Sequence, residues 1–457
     1  MTSRVTALWL SAFCSSTRIG VSGFAPARQA AMAARNMFAS TTSNAGASAE
    51  REVHETTHRL LDNEEYHIEF NGYLSNHVKH AVVALHGLQA SPADIQRYWD
   101  FYTECTPYGF HLAPKGARGE PLRPAEWKQL LGKKQKYEEL LQFFDDEEKQ
   151  LGIEKTLQKY APSVLPGSPG ALTHGIIHLG WGLDANNRRM ILEGLAYMVY
   201  SFVSTHPERF VHGAVPESTP MESFLRIAEA DRREGIQHQI FETAVNNDKY
   251  GEASNFHAEL IPAGFQWQVA KVLEEGHPVL YQMPTWLDEL PVEEALKQLY
   301  KAVTLIYLTT AGEPDAIADE ESHGSFLALH LITSLWGAEK IATHLPVDEQ
   351  RALLKTYYVT VLALLLTSSS GFPTVEALRG VEEKFDVNDA TEESSVAADW
   401  EGILTRAIAE EEEHNIKLAY VARELWRRYD HWKAFRVAAS TFTLTPDIGP
   451  GRSVFGA

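Results

Sequence analysis

Nineteen histidines are spread along a chain of 457 residues, and several fall in apolar surroundings at spacings that put two imidazoles on one side of a helix. Asn76-His77-Val78-Lys79-His80 sets two rings three residues apart, and His174-Gly175-Ile176-Ile177-His178 sets two four apart. His323 and His330 lie on one face, two turns apart, if a helix runs from His323 to Trp336. In His414-Asn415-Ile416-Lys417 an imidazole and an amine share the three-residue spacing. Neutral imidazole keeps a basic lone pair after burial and is the commonest transition-metal ligand, so the pattern suits iron, copper or zinc. With only Cys14 and Cys105 available, any such metal is held by nitrogen and oxygen rather than by a sulfur cage. Each pair alone is more often hydrogen-bonded core histidine than a set of ligands. The His174–His178 pair also lacks the glutamate of H-E-x-x-H, Gly175 standing in its place, which argues against a zinc protease.

The elements that must position these residues read as helices, because apolar side chains recur at three and four rather than at two. Val82, Leu85 and Leu88, then Ile95, Tyr98 and Trp99, set one such face. Residues 190–203, 224–227, 292–308, 326–335 and 403–426 continue the pattern, with breaks at 161–169, 310–321 and 386–395. The most apolar run, 357–366, is too short for the roughly 20 residues a bilayer span needs and is expected to be a central buried helix. The predicted fold is all-α, a single large helical domain over residues 50–457. Ala81-Val82-Val83-Ala84-Leu85-His86-Gly87-Leu88 followed by Ser91 imitates the strand and oxyanion loop of an α/β-hydrolase, yet no G-x-S-x-G follows. Neither G-x-G-x-x-G nor a Walker A string occurs, so a Rossmann domain and a P-loop are unsupported.

A formal charge of -20 works against nucleic-acid and anionic-lipid partners. Residues 1–49 hold Arg4, Arg18, Arg28 and Arg35 but no Asp or Lys and no Glu before position 50, in a background of Ser, Thr and Ala. That is the composition of a targeting presequence, expected to be disordered and to direct the chain to a mitochondrion or plastid; without it the expectation is cytoplasmic. No membrane anchor is expected, since the apolar stretch 7–14 is far too short.

Four strings, Leu74-Ser75-Asn76-His77, Thr173-His174-Gly175-Ile176-Ile177, His330-Leu331-Ile332-Thr333 and Glu413-His414-Asn415-Ile416-Lys417, stand in the order and approximate spacing of the questin oxidase-like family, and the resemblance runs from about Asn71 to about Trp426. It implies an α-helical oxidoreductase that uses O2 on an aromatic small molecule, an anthraquinone-like polyketide or another quinone or phenol, by Baeyer-Villiger-type insertion or dioxygenase-type ring cleavage. It further implies non-haem Fe(II) held by His77, His174, His330, His414 and a carboxylated Lys417. A buried lysine has its amine pushed toward the neutral form, which can add carbon dioxide to become an anionic oxygen ligand. The plainer alternative pairs Lys417 with the acidic run 410–413 on a solvated helix. Asn76 and Thr333 are the candidates for orienting a substrate oxygen, and Tyr73, Trp181, Phe326 and Trp336 for lining its pocket. His80 and His178 read as hydrogen-bonding supports of the ligands or as core residues. Two competing readings stay open: a metal-free Baeyer-Villiger monooxygenase using NADPH, and a helical scaffold without catalysis.

Overall fold

A computed structural model describes residues 44–250, 256–262, 264–310, 323–391 and 393–445. It is 67% helical, with two small two-stranded sheets, and so predominantly all-α. The first half of the described chain carries α1 (Asn44–Leu61), strands β1 (Glu69–Phe70) and β2 (Leu74–Ser75), then α2 (Val78–Gly87), α3 (Pro92–Glu104), α4 (Tyr137–Leu151), α5 (Ile153–Val164), α6 (His174–Asp184), α7 (Arg188–Tyr200), β3 (Val211–Val215) and α8 (Pro220–Glu234). The second half carries α9 (Ile236–Ile240), α10 (Phe265–Glu275), α11 (Pro278–Tyr281), β4 (Gln282–Pro284), α12 (Trp286–Glu289), α13 (Val292–Thr309), α14 (Phe326–Ala342), α15 (Val347–Thr367), α16 (Val375–Lys384), α17 (Ser394–Ala409), α18 (Glu413–Arg428) and α19 (Lys433–Ser440). Strands β1 and β2 form an antiparallel hairpin ahead of α2; β3 and β4 pair in parallel.

Several of the helices begin where the sequence offers a side-chain acceptor for the free amides of the first turn. Ser91, Asn187, Thr219, Ser325 and Thr374 each accept a hydrogen bond from an amide three residues on. The run 81–88 that imitates a hydrolase strand is the body of α2, and Val82, Leu85, Leu88, Ile95, Tyr98 and Trp99 are all buried. The expected central helix is the second half of α15, buried throughout.

Four differences from the sequence-based expectation have physical causes. Helix α5 runs through Pro162 to Val164, into the first expected break, because a proline in a last turn forfeits only one hydrogen bond. Residues 403–426 are two helices, α17 and α18, since the chain turns extended at Glu410 and Glu412. His323 precedes α14, which starts only after Ser325 caps it, so His323 and His330 share no helical face. Most of the expected presequence, residues 1–43, and residues 311–322 of the second break lie outside the described residues. None of the described helices is long and apolar enough to cross a membrane.

Helices α2, α6, α14 and α18 matter most for the site. Helix α6 lies along both α7 and α14, α18 packs on α2 and α14, and α2 touches α6, so the four close a ring around a common interior. The α6–α14 crossing is unusually close: a methyl group on Gly180 would collide with the backbone of Gly337, and one on Gly337 would come within 2.6 Å of the Ile176 carbonyl oxygen.

Candidate functional site

Each helix of that ring contributes one histidine to its interior. His77 caps α2, His174 opens α6, His330 sits in the first turns of α14 and His414 in the first turn of α18, with Lys417 one turn further on. All five are buried, with His330, His414 and Lys417 fully so. Ring centroids of His77 lie 4.4 Å from His174 and 4.6 Å from His414, and His330 lies 4.9 Å from His174 and 4.7 Å from His414. Potential ligand atoms of His77, His174 and His414 fall within 4.8 Å of one another. The Lys417 amine stands 2.8 Å from His77 Nδ1.

Hydrogen bonding decides which ring nitrogens are lone pairs. His174 Nδ1 lies 2.5 Å from the Ala171 carbonyl oxygen and His330 Nδ1 lies 2.7 Å from that of Phe326. A carbonyl oxygen only accepts, so both Nδ1 atoms carry the proton, and each neutral ring presents a bare Nε2. These two Nε2 atoms are 3.3 Å apart, a buried pair of facing lone pairs with no proton to share. His414 repeats the arrangement: Nδ1 is 2.5 Å from a Glu412 carboxylate oxygen, while Nε2 is buried without a partner. Glu413 sits 3.5 Å from the same Nδ1 and 3.6 Å from His77 Nδ1, and accepts a 2.5 Å hydrogen bond from the Tyr108 hydroxyl.

The electrostatics agree. Burial, then the Lys417 charge, holds His77 and His414 well below the ordinary imidazole value and takes His174 down to about 3. For His330 burial leads, followed by His174 and Lys417. All four rings are therefore neutral at physiological pH. Burial also lowers the Lys417 amine to about 8, although Glu413 and Glu412 pull it back up. Burial raises Glu412 and, with the repulsion of Glu412, holds Glu413 well above the usual carboxylate range, and a cluster of neutral nitrogen lone pairs beside two such crowded carboxyl groups and a softened amine is a donor set for a divalent transition metal. The orphaned Nε2 of His414 and the facing Nε2 atoms of His174 and His330 are what such an ion would satisfy.

His80 and His178 pair with each other instead of joining the cluster. The Glu193 carboxylate lies 3.2 Å from His178 Nε2, and His178 Nδ1 lies 3.0 Å from His80 Nε2. Glu193 is gripped by Lys79 at 2.8 Å and by Arg189 at 2.8 Å, and a cleft lined by His67, Asn76, Lys79, Tyr137, His178 and Glu193 reaches this group.

The remaining sequence candidates are placed less uniformly. The Asn76 amide accepts from the Val78 amide and donates to the His67 carbonyl, tying the hairpin to α2 while lining the cleft. Thr333 lies on α14 three residues beyond His330, fully buried, its hydroxyl 3.4 Å from the Leu329 carbonyl. The Phe326 ring packs at 4.7 Å on His330 and 4.5 Å on His414, and Trp181 lies against His80. Tyr73 and Trp336 are corrections. Tyr73 is 36% exposed on the turn between β1 and β2. Trp336 directs its indole N–H to Asp184, stacks under Lys340 and packs edge-on against Tyr420 of α18 rather than on the histidine cluster. Sequence reasoning missed Glu412, Tyr108 and Glu193. Only Glu412 left a signal, as an acidic residue just ahead of a helical histidine.

Comparison with known proteins relates the sequence of the chain to a family. A Baeyer-Villiger oxidase, ptaJ, of Pestalotiopsis fici is 26% identical over 175 residues, which are 35% of this chain and 37% of that protein; the chain thus spans little more than a third of this relative's length. The family model described as questin oxidase-like matches residues 74–422, a stretch that contains every histidine of the cluster and Lys417. By that match over most of its length, the chain belongs to the questin oxidase-like family.

Proposed function

We propose that the protein is a non-haem iron oxygenase, with Fe(II) held by His77, His174, His330, His414 and a carboxylated Lys417, acting with O2 on an anthraquinone-like or other aromatic polyketide. The observation that carries this is the pair of bare Nε2 atoms of His174 and His330 facing each other at 3.3 Å in a buried interior. Two buried acceptors so placed repel unless a cation lies between or beside them. Bound there, iron would supply the electrons that ground-state dioxygen needs to react with a closed-shell substrate.

The protein's own residues set the conditions. Glu412 holds the Nδ1–H of His414, and the Ala171 and Phe326 carbonyls hold those of His174 and His330, so each ring is oriented and made more basic by its outer partner. Lys417, with its amine lowered to about 8, has an appreciable neutral fraction at physiological pH. That neutral amine adds carbon dioxide, forming an N–C bond as one C–O π bond opens and releasing one proton, which leaves an anionic carbamate oxygen as donor. Phe326 closes the apolar side of the cluster and keeps water from it. Asn76 and Thr333 are assigned to orienting a substrate oxygen. The name of the relative from Pestalotiopsis fici favours oxygen insertion of the Baeyer-Villiger type over ring cleavage by a dioxygenase route.

Elemental analysis tests the reading, on protein purified without added metal and on the His330→Ala and Lys417→Ala variants. Near-stoichiometric iron in the wild type, lost in both variants, is the expected result. A wild type that takes up no metal after anaerobic reconstitution with Fe(II) would sink it.

A further inference from the structure

Three consecutive residues with side chains, Ala171, Leu172 and Thr173, occupy the left-handed region with φ of 47°, 51° and 67°. In that region the Cβ crowds the following carbonyl oxygen, so single non-glycine residues are uncommon there and three in a row are more so. The turn is gripped on two sides. Gly170 lies so close to the end of α7 that a methyl group would collide with the Ser201 carbonyl. From α10, Gln266 Oε1 accepts the Leu172 amide at 2.8 Å. Because that amide needs an acceptor, the Gln266 side chain cannot flip, and its Nε2 is left buried without a partner.

Backbone strain and an orphaned donor thus meet at one point, and both are features that persist where something else depends on them. What the turn delivers is the Ala171 carbonyl, three residues back along the chain, at 2.5 Å from His174 Nδ1. In an ordinary helical approach that carbonyl would point along the axis and leave the ring free to choose either tautomer. We propose that Gln266 and the left-handed turn 171–173 form a clamp that fixes the tautomer and ring direction of His174, making Gln266 a positioning residue for the candidate centre. Its metal consequence rests on the iron-site reading, whereas the tautomer does not.

The test compares wild type with Gln266→Leu, which removes the acceptor at similar size, and Gln266→Glu, which keeps one. Nitrogen-15 NMR of metal-free, histidine-labelled protein reads the His174 tautomer, its signals located by their loss in His174→Gln. Competition titration with Co(II) reads affinity, and calorimetry reads the melting temperature. In Gln266→Leu the Nε2–H form emerges and Co(II) affinity falls by roughly 10–100-fold, while loss of the acceptor for the Leu172 amide lowers the melting temperature by about 1–3 °C. Gln266→Glu retains the wild-type tautomer and affinity. A Gln266→Leu protein with wild-type tautomer and affinity overturns the clamp, as does one whose affinity falls while the wild-type tautomer is kept, since that marks an ordinary packing residue. If wild type binds no Co(II), the metal reading fails and the NMR comparison still decides the clamp. Ala171→Gly checks the strain directly: relief of the left-handed pose raises the melting temperature by about 1 °C, and a fall shows that the turn is relaxed.

Discussion

Replacing Glu193 by Gln perturbs the most heavily charged interior group outside the histidine cluster. Its two carboxylate oxygens each lie 2.8 Å from the Lys79 amine, one of them 2.8 Å from Arg189 as well and the other 3.2 Å from His178. Burial by itself would raise this carboxyl, yet Lys79, His178 and Arg189 hold it below the usual carboxylate range. Glutamine keeps the shape and removes the charge, leaving the Lys79 ammonium buried against an amide whose N–H2 has only donors to face. Removing one partner of a buried pair costs about 3–5 kcal/mol. With an unfolding entropy of about 2.1 cal/mol/K per residue, a chain of 457 residues loses roughly 1 kcal/mol per degree, so the melting temperature should fall by about 3–5 °C. The pH dependence has a definite sign. A carboxyl whose folded value is depressed contributes stability that is complete above its unfolded value of about 4.3 and is lost as the pH falls toward the folded one. The gap between wild type and variant is therefore constant from pH 7 to 5 and narrows below about pH 4. In the variant the unpaired Lys79 binds its proton more weakly when folded than when unfolded, so stability rises with pH and alkaline buffer restores part of the loss. Differential scanning calorimetry at neutral, acid and alkaline pH measures all three limbs. A Glu193→Gln protein that melts within a degree of wild type at neutral pH would refute the reasoning, because it would mean the ammonium sheds its cost elsewhere.

Two further substitutions probe the ring of helices. Glu412→Gln removes the charge 2.5 Å from His414 Nδ1 and should weaken Fe(II) or Co(II) binding by roughly 10–100-fold with little change in melting temperature, as read by competition with a chelating dye; unchanged affinity would show that Glu412 serves only as the cap of α18. Gly180→Ala drives a methyl group into the Gly337 backbone, an overpacking that costs about 1–3 kcal/mol. Parting α6 from α14 should also lower bound iron, and elemental analysis together with a thermal melt would show whether the two losses go together.

Much of this arrangement was legible before any coordinates, and for physical reasons. Helices announce themselves by the recurrence of apolar residues, and the four strings around His77, His174, His330 and His414 stood in family order, so both the all-α fold and the identity of the cluster could be read. What could not be read depends on packing between distant segments. The acidic run 410–413 looks like a solvated helical face, yet the chain turns extended at Glu412, and tertiary contacts bury Glu412, Glu413 and Lys417. Tyr108 reaches Glu413 from a loop some three hundred positions earlier, at |i−j| = 305, and leaves no local pattern. The left-handed turn at 171–173 is invisible because Ala, Leu and Thr are the residues least suggestive of positive φ. Tyr73 and Trp336 were placed by proximity in sequence to ligand strings, which cannot tell a side chain at the cluster from one on an exposed turn or one packed elsewhere between the helices.

The depth of the cluster bears on how an ion would come and go. His330, His414 and Lys417 have no contact with solvent at all, and helices wall them on every side of the ring. Entry and exit would then require one of these helices to part from its neighbours, an opening of buried contacts rather than of a surface loop. Exchange would be slow, chelators would work at the pace of local unfolding, and newly made chains would be charged as they close. Under those kinetics a bound ion would be chosen by which metal is at hand during folding, and the supply in the compartment where the chain matures would count for more than the relative affinities of the finished site.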